Sequence, residues 1–327
     1  MTPRTGSTLA ATKPTNPTKP HSSYRHEAFL YRGDDEFLAG TVPFVLEGIS
    51  VGQPVMVAVI EPRVELLRDA LGPDAGAVEF VDMAELGRNP ARIIPGWRSF
   101  LDEQCRDEQP VRGVGEPIWA GRRDAEVVEC QLHEALLNLA VDPDTPMWLR
   151  CPYDVDALDP GVVEEAHRSH PILVDAESYA GSRLYGGAHH IGDFFARDLP
   201  APTAPAEALD FGADDLLAVR DLVTLRAAAT GLDGERVWEL ALSVHEVATN
   251  SVLSGGGSGR LSIWQEPGAL VCEVRDAGRL DDPMVGRRPP PLLEESGRGL
   301  WLANQMCDLV QVRSTADGVV VRVVAWL

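Results

Sequence analysis

The apolar and polar positions of this chain fall into alternating strand and helix periods over the first 200 residues. His26-Glu27-Ala28-Phe29-Leu30-Tyr31 reads as a strand ending at Gly33-Asp34, and a helix is expected over about 36–50. Val55-Met56-Val57-Ala58-Val59-Ile60 is a continuous apolar run between Pro54 and Pro62. Such a run marks a strand buried on both faces, as in a parallel sheet. A helix over 64–71, a short strand over 77–81, amphipathic helices over 92–107 and 124–140, and a strand over 147–153 follow. Strands alternating with helices predict an α/β layered domain, here placed at 23–198.

The second half has a different rhythm. Leu199-Pro200-Ala201-Pro202-Thr203-Ala204-Pro205-Ala206 opens a proline-rich break, read as a linker over 199–211 that permits independent domain motion. Beyond it, helices are expected over 213–230, 234–252 and 299–308, and strands over 260–265, 269–275, 309–314 and 319–326. Neighbouring strands joined by short turns predict an antiparallel or mixed sheet with helices on one face, an α+β sandwich over 212–327. Residues 1–22, rich in Thr, Pro, Lys and Ser, hold too little apolar surface to offset ordering entropy and read as a disordered tail.

Composition narrows the classes. The chain has 327 residues, 44% hydrophobic and 24% charged, as expected of a globular protein of two domains. Its formal charge of -21 argues against a general nucleic-acid or anionic-membrane surface. The 5 cysteines, at 105, 130, 151, 272 and 307, include no CxxC pair, which argues against a disulfide framework and a zinc site. No apolar run reaches the roughly 20 residues of a membrane span, and the N-terminus lacks a signal-peptide core. A cytoplasmic location is therefore expected.

Three short motifs carry the chemistry. On the helix from Arg236 to Val252, Val237, Leu240, Ala241, Val244 and Ala248 form one apolar face, and Glu246 and Asn250 stand one turn apart. An acid and an amide so placed address one ligand. Asp276-Ala277-Gly278 closes an alternating strand, where a carboxylate can accept a proton and glycine lets a ligand approach the backbone. Gly297-Arg298-Gly299 opens a helix, whose first amides suit phosphate. Each motif alone is common. In this order they resemble the ATP site of the GHKL family, which includes gyrase, Hsp90-type chaperones, histidine kinases and MutL. Within it the likeness is to the anti-sigma-factor serine kinases of the RsbW type.

That resemblance implies a GHKL (Bergerat) ATPase fold and the cofactors ATP and Mg2+. It assigns Asn250 to the metal and Glu246 to general base or orienting group. Asp276 and Gly278 go to adenine, and Gly297, Arg298 and Gly299 to phosphate. Residues 281–295 fall where the family has its ATP lid. The chain departs from the family pattern at Ser251-Val252-Leu253-Ser254 after Asn250, at Leu280 in place of a second glycine, and at Val319 in place of a threonine. His245 sits on the ATP-site helix itself, and His133 reads as a surface helical histidine rather than a phosphoacceptor.

The first domain is similar to the MEDS sensory domain of methanogen, methylotroph and DcmR proteins. The residues carrying the likeness include His26 to Tyr31, Gly52-Gln53-Pro54-Val55-Met56-Val57, Glu134 to Asn138, Cys151-Pro152-Tyr153-Asp154 and His167-Arg168-Ser169-His170-Pro171. The resemblance implies a RecA-like α/β fold that senses a small molecule. Gly33 to Thr41 has no lysine and no GxxxxGK[ST], so P-loop chemistry is not supported. Cys151 with His167 and His170 suggests a thiol nucleophile, but an inert buried thiol is the preferred reading. Trp97, Trp119, Tyr153 and Tyr179 suit either a ligand pocket or plain core. Together the two resemblances imply a bacterial regulator that phosphorylates a Ser or Thr of a STAS-domain antagonist and sequesters a sigma factor. The alternatives are a non-enzymatic protein-binding switch on the same fold and a sensor histidine kinase; a homodimer is left open.

Overall fold

The computed structural model describes residues 23–105, 109–290 and 298–327; the tail read over 1–22 and Gly297 lie outside the described residues. In the first domain, β1 (Arg25–Tyr31), β2 (Val55–Val59), β3 (Val78–Asp82), β4 (Val111–Gly115), β5 (Met147–Asp154), β6 (Ile172–Val174) and β7 (Tyr179–Gly181) form one sheet. Its order is β3-β2-β4-β5-β1-β6-β7, parallel except for the last pair. Every residue of β2 is buried, as its unbroken apolar run requires.

Helices cover both faces. Against α1 (Gly33–Ser50) and α2 (Glu61–Leu71) lies a core of Phe29, Phe37, Phe44, Val57, Leu67 and Trp148. The other face packs Trp97, Leu132, Leu136, Leu149 and Tyr153 beneath α4 (Ile93–Gln104), α5 (Asp124–Ala140), α6 (Pro160–Ser169) and α7 (Gly187–Phe195). A single helical turn, α3 (Met83–Leu86), follows β3. Trp97 and Tyr153 are therefore core rather than pocket wall.

β4 was not legible because Arg112 and two glycines interrupt its pattern. Arg112 is nevertheless 3% exposed, its guanidinium donating to Gln53 Oε1, the Phe44 carbonyl and Glu47. A side chain at Gly113 or Gly115 would meet the Trp97 ring.

The second domain is a five-stranded antiparallel sheet in the order β11-β12-β10-β9-β8. Its strands are β8 (Glu207–Phe211), β9 (Gly259–Glu266), β10 (Ala269–Asp276), β11 (Leu309–Thr315) and β12 (Gly318–Trp326). On one face, α8 (Leu216–Ala229), α9 (Gly234–Ser254) and α10 (Arg298–Met306) bury Val223, Leu240, Val244, Leu300 and Ala303 against Leu261, Cys272 and Val321. The linker reading is corrected here. Residues 207–211 of that stretch are β8, paired along its length with β9.

The domains touch, a point the linker's length left open. All but the last residue of β12 is buried, its second face shared between the linker, where Arg322 donates to the Pro200 carbonyl, and α5, whose Ala125 packs on the cluster around Val324. There Glu129 of α5 accepts from Arg313 Nη2 at 2.6 Å, from Arg287 Nη2 at 3.3 Å and from Gln311 Nε2 at 3.3 Å. Asn89 donates to the Cys307 carbonyl at 3.2 Å, and Met284 is buried among first-domain residues. Burial weakens the hold of Arg287 on its proton, and Glu129 opposes that shift.

Candidate functional site

The site is built where α9 ends. Asp233 Oδ1 accepts from the Arg236 amide at 3.0 Å and starts the helix. Val237, Leu240, Val244, Val247 and Ala248 press one side of it on the sheet. Three glycines, Gly255 to Gly257, stop it and turn the chain into β9, the last two with φ of 100° and 90°. This close turn lays Gly255 on the Asp276 carboxyl, and a methyl group there would overlap it.

Asp276 is held from two sides. Ser251 Oγ donates to Oδ2 at 2.6 Å, and the Gly278 amide donates to Oδ1 at 2.8 Å. The carboxylate faces a small cleft of about 70 Å3 that Asn250 also lines. Its remaining wall is largely apolar: Val247, Leu280, Leu300, Val319 and Val321. A flat heteroaromatic ring with an exocyclic amine suits such a wall, because oxygens that already accept hydrogen bonds keep lone pairs for an N–H donor.

The sequence-derived residues fall as follows. Asn250, Asp276 and Gly278 share the cleft. Glu246 is half-buried one turn earlier on α9, beside Gly299 rather than on the cleft wall. Gly299 is a contact point between helices: a Cβ there would lie 2.9 Å from Asn250 Nδ2 and 3.0 Å from Glu246 Cβ. Arg298 is exposed at the first position of α10. Ser251, noted in the sequence only as a departure, is the residue missed; its spacing one position after Asn250 turns it toward β10. Leu280 and Val319 line the cleft, so both departures bear on the ligand.

The histidines sort differently. His245 Nδ1 lies 3.2 Å from the Leu216 carbonyl and ties α9 to α8. The expectation that His133 is a surface residue is overturned: it is 1% exposed, and burial pushes its pKa down to about 3. It is neutral and out of reach of a phosphoryl donor. Cys151 is 1% exposed, and burial, followed by the charge and hydrogen bond of Glu134, raises its thiol pKa well above the usual value. Neither the burial nor the carboxylate beside it activates the thiol as a nucleophile.

The second domain thus carries an apolar cleft at a helix end, closed by one braced carboxylate, on a helix-backed antiparallel sheet. Residues 212–325 match the family model described as the histidine kinase-like ATPase domain. Residues 25–171 match the MEDS model, the methanogen/methylotroph, DcmR sensory domain. The chain thus joins a MEDS domain to a histidine kinase-like ATPase domain, a construction of signalling regulators. Among solved structures, the RsbU and RsbW domains of a Mycobacterium tuberculosis protein match at 16% identity, over 38% of this chain and 33% of that one, with a TM-score of 0.29. The chain spans about a third of that relative's length, and a likeness of that degree carries no weight for function. No curated protein matches. Among the described residues no helix is long and apolar enough to cross a membrane.

Proposed function

We propose that the C-terminal domain binds ATP with Mg2+ and transfers the γ-phosphoryl group to a Ser or Thr hydroxyl of a STAS-domain partner, as an RsbW-type anti-sigma regulator. The observation that carries the reading is the Asp276 carboxylate, braced by Ser251 and Gly278 on the same cleft as Asn250. In this reading Asp276 accepts the exocyclic amine of adenine while Val247, Leu300 and Val321 cover the ring. The donor set fits magnesium, which takes few protein ligands and accepts an amide oxygen such as that of Asn250 beside phosphate oxygens and water. When bound, the ion spreads the charge that develops on the transferring group. Glu246 orients or deprotonates the attacking hydroxyl. Gly297, Arg298 and Gly299 receive the phosphates at the start of α10. The MEDS domain, with a RecA-like sheet, takes the small-molecule signal, and the partner that is not phosphorylated is a sigma factor.

A second reading is favoured by Leu280 and Val319, which place hydrocarbon on the cleft where the family carries a glycine and a hydroxyl. It makes the domain a protein-binding switch with weak nucleotide affinity. Calorimetry with Mg-ATP and Mg-ADP on wild type and Asp276→Asn tests the site. Micromolar binding lost in the variant supports it, and absence of binding in the wild type overturns it. Radiolabel transferred from ATP to the hydroxyl of a STAS protein separates kinase from switch.

A further inference from the structure

The first domain holds four buried ligand-type side chains gathered from distant parts of the chain: His26 on β1, Glu134 on α5, Cys151 on β5 and His170 just past α6. One donor atom from each lies within 4.8 Å of all the others. Glu134 Oε2 is 3.0 Å from His26 Nε2 and 3.3 Å from His170 Nε2, and Cys151 Sγ is 3.4 Å from both His26 Nε2 and Glu134 Oε2. Donors bound at about 2.0–2.3 Å to one tetrahedral ion stand roughly 3.3–3.7 Å apart, so these edges are close to a coordination shell.

The hydrogen bonds behind the cluster fix what it presents. Asn138 Nδ2 donates to the Ser169 carbonyl at 2.8 Å, which turns its Oδ1 to His26 Nδ1 at 3.2 Å. His170 Nδ1 meets the Ala166 carbonyl at 2.9 Å. Both acceptors are oxygens without a proton, so both imidazoles carry theirs on Nδ1 and turn bare Nε2 lone pairs inward. Two lone pairs and a carboxylate thus face a single thiol. His170 Nε2 and Glu134 Oε1 are buried and make no hydrogen bond among the described residues. Such crowding of acceptors is costly unless a cation joins them. Backing of each inward imidazole nitrogen by an outer oxygen acceptor is the usual support of a histidine metal ligand.

From this geometry we infer that His26, Glu134, Cys151 and His170 form a closed four-ligand site for a divalent zinc-class ion. Two imidazoles, a thiolate and a carboxylate match the donor preference of zinc, and four protein ligands leave no open position, so the ion is structural. It ties β1 and β5 to α5 and α6. The sequence argument against zinc fails because it sought closely spaced cysteines, whereas these ligands meet only through the sheet order that sets β1 beside β5.

The test uses the full chain, purified without chelator. Elemental analysis is expected to find about one zinc per chain. After stripping, Co2+ is expected to give intense tetrahedral d–d bands and a thiolate-to-cobalt charge-transfer band, which Cys105→Ser keeps and Cys151→Ser loses. Asn138→Leu, which leaves the ligands in place, is expected to weaken metal binding roughly 10–100-fold. The site is overturned if the wild-type chain is isolated without metal and gives no cobalt spectrum, or if the charge-transfer band survives in Cys151→Ser. If that variant does not fold, the wild-type spectrum and the Asn138→Leu affinity decide. None of these readouts involves nucleotide, so they stand apart from the ATP-site reading.

Discussion

Glu129→Gln is the perturbation that most directly probes how the two domains are joined. The carboxylate is 1% exposed and is the counter-charge of two guanidiniums, those of Arg287 and Arg313, which are 6% and 2% exposed. The isosteric amide keeps the shape and removes the charge. Two like charges then remain buried without an anion, and breaking a buried pair in this way costs about 3–5 kcal/mol. The cost has a ceiling, since the domains can part and let both arginines reach water. A drop in the urea midpoint is therefore expected together with faster proteolysis at residues 199–206, the proline-rich segment between the sheets. The Glu129–Arg287–Arg313 network was not built for stability alone if Glu129→Leu combined with Arg287→Met and Arg313→Leu restores the midpoint, as buried ion networks often allow. An unchanged midpoint and an unchanged cleavage rate in Glu129→Gln would refute the claim that this contact joins the domains.

Glu116, 1% exposed, accepts from Tyr31 Oη and pairs with Arg63, yet burial raises its pKa to about 8. A carboxyl raised in the folded state contributes stability that is full below its unfolded pKa near 4.5 and is lost as pH climbs to about 8. The loss over that window is roughly 5 kcal/mol at most, and Glu116→Gln is expected to flatten it in urea melts taken from pH 5 to 9. Ser251→Ala removes the hydroxyl that braces Asp276, and is expected to weaken Mg-ATP about tenfold by calorimetry while leaving the fold intact. Gly299→Ala sets a methyl group against Asn250 and Glu246, and is expected to cost about 1–3 kcal/mol in thermal unfolding and to lower nucleotide affinity as α10 is pushed from α9.

The sequence shows what depends on periodicity and hides what depends on a second layer. β2 is a continuous apolar run and β12 one interrupted by Arg322, and every residue of both is buried except the last of β12. β8 was missed because Glu207-Ala208-Leu209-Asp210-Phe211 is short, follows prolines and buries fully only Phe211. In α5, read as an amphipathic helix with His133 on its surface, Glu126, Glu129, His133 and Glu134 are all buried. Glu126 is paired one turn away with Arg122, whereas Glu129 and Glu134 meet partners far off in sequence, the Arg287–Arg313 pair and the imidazoles of His26 and His170. The order of the three nucleotide motifs located the cleft, but no spacing rule pointed to Ser251 or to the ligand cluster.

Helix α5 brings these hidden features to one element. Glu129 and Glu134 stand five residues apart on it, so their side chains leave the axis roughly 140° apart. One enters the ligand cluster and the other holds Arg287, which lies in the segment that the ATPase resemblance assigns to the lid. Met284, three residues before Arg287, is buried with first-domain residues and fixes the same segment. A rigid helix cannot shift at one of these points without shifting at the other. If metal binding and nucleotide binding each favour one setting of α5, linkage requires that zinc change ATP affinity by the factor by which ATP changes zinc affinity. Calorimetric titration of each ligand with and without the other measures both factors. Equal factors that collapse to one in Glu129→Gln are expected; factors of one in the wild-type chain would show that α5 passes no signal between the two domains.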